Sequence, residues 1–518
     1  MDNTLGKFSR FMTQHQKILT WITLALLIWF FVFFNLASFP EPWFDEGSHL
    51  HVPKTLVKYG VYADYSSDGF RYYGPTIGVG PTVMLPIAGM FKLFGIGLFQ
   101  ARIVVGLYMV AAVYVFYKLV KDISNGTLAL VATALLVSSR SILFLNYGRQ
   151  ILGEVPGLFF LILGLMLWFT NWGNNGWKKL TLVGLLFGLA MITKYQYLLF
   201  LAPALILSWG LDIFYYKTAS HKNFLIPGIV AAGSFALWQG ITLQFMGPAT
   251  AIENFALLRE SAEGAAFSFD PAQIVRNVRA LLSRSVYLWA LIPAVVYGFM
   301  VSRPRNGEGQ KWSVLYLLMM LNLVWFVIAS IGWIRYAFLG LAVASIFIAR
   351  MFYDATNGFR FDFSGTLRDF WNSFFSGKTA IRWALIVWLF LIIALPMAKN
   401  VLEIARGGTR SAEQMAAYLD ANLPQDALIE TWDPEMGFFT DHNYHYPPNA
   451  LLAVAVEQIY AGGEPVKNHY SFVQDEKPEY ILAGEFSKWV DVYPVDQLWG
   501  QYEWVTTIGD YDLYQRVE

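Results

Sequence analysis

Two neighbouring carboxylates open the chemistry of this chain: Pro40-Glu41-Pro42-Trp43-Phe44-Asp45-Glu46-Gly47-Ser48-His49 sets Asp45 and Glu46 between aromatic residues and a glycine, directly after a long apolar segment. A carboxyl group in such surroundings can be held as a general base, whereas the plain structural role is to favour the positive end of the next helix. Three later stretches place charge at the ends of apolar segments. Asn146 to Pro156 carries Arg149 and Glu154, Gly188 to Tyr195 carries Lys194, and Gly332-Trp333-Ile334-Arg335-Tyr336 carries an arginine beside an aromatic hydroxyl. A charge facing lipid costs a few kcal/mol, so each demands a partner or an aqueous cavity. Arg149 and Glu154 could pair with each other, Lys194 could snorkel to headgroups, and Arg335 with Tyr336 could clamp a phosphate or anchor the interface.

The elements that must position these residues are apolar helices. Of 518 residues, 56% are hydrophobic and 14% charged, more apolar surface than a water-soluble core can bury. The net charge of zero points to no nucleic-acid partner, and the absence of cysteine excludes thiol nucleophiles, disulfides and thiolate metal sites. A first span is expected from Ile18 to Phe39, too long for a cleaved leader and without a small-residue cleavage site. Further spans centre near residues 109, 133, 163, 186, 204, 235, 293, 322, 343 and 391, about eleven crossings in all. The segment from Thr76 to Gly95, with Pro81, Pro86, Gly78 and Gly80, reads as a helix lying in the interface.

Basic residues set the expected orientation. Lys7, Arg10 and Lys17 fall inside, with Lys118 and Lys121, Lys178 and Lys179, Lys217 and Lys222, Arg303, Arg305 and Lys311, and Arg360, Arg368, Lys378 and Arg382. Lys54, Lys58, Arg71, Arg102, Arg149, Lys194, Arg276, Arg279, Arg284 and Arg335 fall outside, against the bias, and call for a reason. Residues 1–399 therefore form a membrane domain with an outer loop at 40–97, and residues 400–518 a small extracytoplasmic α/β domain. In that domain Arg410 to Leu419 has helical spacing, while Ala427 to Thr431 and Tyr480 to Ala483 read as short buried strands. Its Trp432-Asp433-Pro434-Glu435 and Asp441 to His445 stretches read as surface loops.

Phe44-Asp45-Glu46 after the first helix, the proline-containing segment from Gly74-Pro75 to Gly95 with Arg102 beyond it, Arg149 to Pro156, Gly188 to Lys194, and Arg335-Tyr336 occur in an order that resembles one family. It is the C-superfamily of integral membrane glycosyltransferases, in the branch of protein O-mannosyltransferases and aminoarabinose transferases. The resemblance spans roughly the first 350 residues. It implies transfer of a monosaccharide from a polyprenyl-phosphate donor to a hydroxyl of a lipid, glycan or protein acceptor, on the outer face of a prokaryotic cell membrane. It makes Asp45 the base with Glu46 beside it, or the reverse. Arg149, Lys194, Arg335 and Tyr336 then bind the donor phosphate, with Glu154, Arg71 and Arg102 in support. Two departures bear on acceptor choice: Gly153-Glu154 where relatives often carry an aspartate-rich pair, and Tyr73-Gly74-Pro75 where His-Pro-Pro or Lys-Pro-Pro is commoner. No cofactor is firmly implied, although Asp64 and Asp68 could join Asp45 around a divalent ion. The competing class is a multi-pass transporter or lipid flippase, which predicts midplane charges and inverted repeats that the sequence does not display.

Overall fold

The structure, a computed structural model, describes residues 15–72, 78–359 and 377–517. Lys7, Arg10, Arg360, Arg368, the side chain of Lys378 and the Tyr73-Gly74-Pro75 stretch lie outside the described residues. Each later span centre expected from hydropathy falls within a helix. Among the described residues six helices are long and apolar enough to cross a membrane: Leu98–Ile123, Gln196–Tyr216, Lys222–Met246, Gly307–Ala329, Ile334–Ala355 and the one within Gly377–Arg406. Shorter apolar helices stand among them, including Lys17–Phe33, Gly126–Ser138, Glu154–Phe169 and Leu291–Ser302. Outward-facing side chains such as Leu107, Leu130, Ile206, Ile229, Val296 and Leu395 are exposed, as expected of residues whose solvent is lipid.

Between the first helix and Leu98–Ile123 runs the loop that carries the two acids. It folds into a helix Phe44–Tyr59, a hairpin of β1 (Asp64–Ser66) and β2 (Gly69–Arg71), and a helix Pro81–Phe94 whose first residue is proline, where no intrahelical N–H is lost. The final apolar helix runs on to Arg406, so the membrane body ends some way beyond residue 399. Beyond it a five-stranded sheet has the order β4-β3-β5-β7-β6. Strands β3 (Leu428–Thr431), β4 (Asn443–His445) and β5 (Tyr480–Ala483) pair in parallel, and β6 (Tyr502–Ile508) with β7 (Tyr511–Arg516) closes one side antiparallel. The expected helix appears as Ser411–Asn422, and both expected strands are present as β3 and β5.

The end of the first helix is held by two arginines. A helix C-terminus leaves carbonyls without partners and carries partial negative charge, so a buried cation there meets both needs. Arg149 donates from all three of its guanidinium nitrogens to the carbonyls of Phe31 (2.9 Å), Phe34 (2.6 Å) and Phe39 (3.0 Å). Arg102 donates to the Leu36 carbonyl at 2.8 Å. The amide of Asn35 donates to Ile404 at 2.9 Å, tying this turn to the last apolar helix. Basic loops gather at the opposite end of the body. There Trp172 donates to Thr218 at 3.0 Å, Tyr215 to the Arg303 carbonyl at 2.8 Å, and Arg305 lies 4.5 Å from the Tyr215 ring.

Arg149→Met removes three hydrogen bonds and leaves three partly buried carbonyls without a donor, so the variant is expected to lose roughly 3 kcal/mol of stability. Thermal unfolding of the purified protein in detergent checks this, and an unchanged midpoint would remove Arg149 from the clamp.

Candidate active site

Asp45 and Glu46 lie in the first turn of Phe44–Tyr59, where negative charge suits the helix dipole. Successive helical residues point about 100° apart, so the two carboxylates cannot face the same way. Glu46 turns inward and is fully buried. Arg102 donates to it in a fork, Nε to Oε1 at 2.9 Å and Nη2 to Oε2 at 2.5 Å, and the Ile151 N–H reaches Oε1 at 3.1 Å. Both oxygens are engaged, which removes Glu46 from the expected pair of reacting acids. Its part is to lock the helix against the Leu98–Ile123 helix and the 148–153 turn.

Asp45 turns the other way, with its side chain 27% exposed, and its Oδ2 accepts from Arg335 Nη1. Arg335 is only 3% exposed and lies in a short 3-10 turn, Ile334–Ala337. Its Nε donates to Glu154 Oε1 at 2.5 Å, and the same oxygen accepts from Lys194 Nζ at 2.6 Å. Glu154 opens the apolar helix Glu154–Phe169, and Lys194 ends the apolar helix Trp177–Thr193. Four charges from four separate elements thus form one connected line, Asp45–Arg335–Glu154–Lys194, with net charge zero. Arg335, Glu154 and Lys194 are buried, which makes mutual pairing a condition of their being there at all, while Asp45 ends the line partly exposed. Glu154 Oε2 is buried without a hydrogen-bond partner.

Aromatic rings wall Arg335. Its guanidinium carbon is 5.1 Å from the Trp333 ring, 5.5 Å from Tyr147 and 5.7 Å from Trp43, within cation–π range. Tyr336 stands 5.8 Å from both Trp325 and Trp333. Sequence reasoning passed over Trp43, Tyr147 and Trp333 as partners of the arginine. The adjacency of Trp333 and Arg335 was the available signal.

Arg149 does not join this line. Its nitrogens are spent on carbonyls at the end of the first helix and in the turn after it, and the pairing with Glu154 is absent because Lys194 and Arg335 take that carboxylate. Arg71 pairs with Asp64 at 2.5 Å and lies 4.9 Å from the Tyr446 ring. His51 approaches the other Asp64 oxygen at 2.7 Å. Burial alone would raise the Asp64 carboxyl, but Arg71 and His51 beside it bring it down to about 2. Asp45 and Asp64 therefore answer to different cations, and among the described residues no three acidic or histidine side chains converge as metal ligands.

The C-terminal domain rests on the site helix. A Cβ at Gly47 would come within 2.3 Å of the Glu435 backbone nitrogen, so only glycine permits the contact. His51 Nε2 donates to the Pro434 carbonyl at 2.7 Å, and Lys54 Nζ to Gly437 and Thr440 carbonyls, each at 2.7 Å. Phe44 packs on Phe486 at 4.1 Å, and Tyr460 stacks on Trp333 at 6.5 Å. Asp433 and Glu435, expected on the surface, are buried. Asp433 accepts from the Gly484 and Phe486 N–H groups at 2.8 and 3.0 Å, and Glu435 accepts from Tyr511 at 2.7 Å. Burial and the neighbouring Asp433 carboxylate push Glu435 well above the usual carboxyl range. The polar sequence misleads here because the groups that bury and satisfy these carboxylates, Gly484, Phe486, Ser487 and Tyr511, belong to later parts of the same domain and leave no mark beside them in the chain.

His49, one turn after Asp45, donates Nδ1–H to the Ile151 carbonyl at 2.6 Å. Burial is the main cause that lowers its pKa to about 4. A histidine lowered in the folded state contributes stability that is complete above pH ~6.5 and is lost as the pH falls towards 4, at up to about 1.4 kcal/mol per pH unit. Unfolding midpoints followed across that window are expected to fall for the native chain and to fall less steeply for His49→Gln; parallel profiles would show that another group carries the dependence.

Among families, the chain matches the model described as dolichyl-phosphate-mannose-protein mannosyltransferase over residues 79–238, the stretch that supplies Arg149, Glu154 and Lys194. None of the curated proteins matches it by sequence. Among solved structures, ArnT from Cupriavidus metallidurans bound to undecaprenyl phosphate superposes with a TM-score of 0.62 at 13% identity, covering 97% of this chain and 98% of that one. Archaeal oligosaccharyltransferase AglB from Archaeoglobus fulgidus, in complex with an inhibitory peptide and a dolichol-phosphate, gives 0.56 at 12% identity, covering 98% of this chain and 75% of that one. The resemblance to the C-superfamily of membrane glycosyltransferases therefore holds at the level of fold over nearly the whole chain, and at the level of sequence in the helices that carry half of the charged line.

Proposed function

We propose that the chain is a glycosyltransferase that moves a monosaccharide from a polyprenyl-phosphate carrier to a hydroxyl acceptor on the outer face of a cell membrane, with Asp45 as general base. The observation that carries this reading is the contrast between the two adjacent acids: Glu46 is sealed under Arg102, while Asp45 remains partly exposed at the end of a line of buried charge. Asp45 takes the acceptor O–H proton as that oxygen attacks the anomeric carbon. The new C–O bond forms as the bond from carbon to phosphate oxygen breaks, and the carrier phosphate leaves with the electron pair from the opposite face, with inversion. Arg335 and Lys194 meet the negative charge that gathers on that phosphate, a task for which prepositioned cations in a water-poor site are effective. Glu154 holds both cations in place through one oxygen.

A cavity of about 200 Å³ beside the line supports a lipid-linked donor. Tyr62, Val79, Gly80, Tyr195, Trp238 and Phe245 line it, so it is largely apolar and begins one residue from Lys194. A polyprenyl chain of a lipid donor fits such a wall, as the undecaprenyl phosphate of the ArnT structure and the dolichol-phosphate of the AglB structure suggest by analogy. The strap at residues 78–80 is held by the Gly80 N–H donating to Thr193 at 3.0 Å, and a side chain at Gly80 would strike the Ile192 carbonyl. With the shorter apolar helices counted as spans, the body crosses about eleven times, which leaves the N-terminus in the cytoplasm and the C-terminal domain outside. The gathering of basic loops at the end opposite the site supports this orientation.

Purified protein supplied with a set of radiolabelled polyprenyl-phosphate sugars is expected to transfer label to an acceptor hydroxyl. Asp45→Asn is expected to cut turnover roughly 100- to 10,000-fold while donor binding persists. Equal turnover by Asp45→Asn would dismiss the base, and no transfer from any donor by the native chain would dismiss the reaction.

A further inference from the structure

Arg276, Arg279 and Arg284 belong to the basic residues at the site end of the molecule, and the charged line uses none of them. They lie in Pro271 to Trp289, a stretch with three arginines and no acid. Its first part is a helix, Pro271–Leu281, capped by Asp270, whose carboxylate accepts from Ala272 and Gln273 N–H at 3.1 and 3.0 Å. One edge of this helix is buried at i, i+4 and i+8: Gln273, Asn277 and Leu281. The other edge exposes Val275, Val278 and, just beyond the helix, Leu282 at 50%, 37% and 46%. Phe267, Phe269 and Trp289 are exposed on either side of it. A short helix with an uncovered aliphatic stripe, flanking aromatic rings and cations without acids has the pattern of one that lies in a lipid interface.

Its buried edge leads to the site. Gln273 Nε2 donates to the Ile331 carbonyl at 2.7 Å, and Asn277 Nδ2 to the carbonyls of Phe326 and Ser330, both at 2.8 Å. The turn so held contains Gly332, whose φ of +85° and close approach to both amides exclude a side chain. Arg335 follows three residues later. Arg276 fixes the Gln273 amide from the other side, with Nε 3.0 Å and Nη2 2.5 Å from Oε1, and also donates to the Tyr460 carbonyl at 3.3 Å. The helix is thus bonded at once to the turn that delivers Arg335 and to the C-terminal domain.

We propose that Pro271–Leu281 is a docking surface for anionic phospholipid. Val275, Val278 and Leu282 sit among acyl chains, Arg279 and Arg284 take the headgroup phosphates, and Gln273 with Asn277 passes the seated position of the helix to the turn that places Arg335. Charge complementarity selects the lipid: Asp270, the acid that caps the helix, lies 3.7 Å from Arg276, whereas among the described residues neither Arg279 nor Arg284 forms a salt bridge with a carboxylate. The assignment concerns lipid binding and stands apart from the reaction proposed above.

The chain has no cysteine, so Val278→Cys introduces a single thiol for a fluorophore on an exposed position. The labelled full chain is reconstituted in phosphatidylcholine vesicles containing increasing fractions of brominated phosphatidylglycerol or brominated phosphatidylcholine. Both lipids are expected to quench, and phosphatidylglycerol to reach half-quenching at about five-fold lower mole fraction. Arg279→Gln with Arg284→Gln is expected to merge the two curves while total quenching remains. Absence of quenching by either lipid would remove the helix from the bilayer, and coincident curves for the native arginines, or separate curves without them, would overturn the headgroup assignment. Hydrogen exchange of residues 330–337 is expected to be slower in phosphatidylglycerol than in phosphatidylcholine for the native arginines alone; equal rates in both lipids would overturn the link to Arg335.

Discussion

Glu154 is a carboxylate at the first position of an apolar helix, buried where an unpaired charge would cost several kcal/mol. That one requirement draws in Lys194 from the end of a second helix and Arg335 from the turn ahead of a third. Arg335 in turn needs more than one oxygen for its fork of donors, and Asp45 supplies it from the loop after the first helix. Elements separated by up to 290 positions in sequence are therefore registered against one another by electrostatics as well as by packing. Apolar packing between helices in lipid lacks the directionality to set such a register, because one aliphatic contact is worth much the same as the next.

A second buried ion pair, Glu46 with Arg102, does different work a few ångströms of chain away. Being sealed and satisfied, it has nothing left to offer a substrate, and its value is to fix the helix from which Asp45 projects. The pairing of one locked acid with one accessible acid in a single helical turn follows from the 100° step between neighbours. The locked acid gives the accessible one a defined direction.

Much of this was legible in the sequence, and the failures have physical reasons. The apolar periodicity gave the helical body, and short apolar runs gave β3 and β5, because burial leaves a pattern along the chain. Asp45, Glu154, Lys194 and Arg335 were found because charge beside lipid is conspicuous. The same conspicuousness misled at Arg149, since a cation can be satisfied by backbone carbonyls that carry no mark in the residue types. It failed again at Asp433 and Glu435, whose burial depends on strands and turns folded later in the same domain, around Gly484 and Tyr511. The aromatic wall around Arg335 was hidden among the many aromatic residues of a membrane protein, where tryptophan at a helix end is commonplace.

Gly47 meets the backbone of Glu435 with no side chain between them. The segment that completes the surroundings of Asp45 is thus made nearly four hundred residues after it, once the last apolar helix, ending at Arg406, has been synthesised. During synthesis the charged line can assemble as soon as the Ile334–Ala337 turn is in place, yet the helix bearing Asp45 stays uncovered until the last sheet folds and settles on it. The covering of Asp45 therefore comes late in the chain, and a chain cut short before that sheet would carry every member of the charged line while leaving its site unroofed.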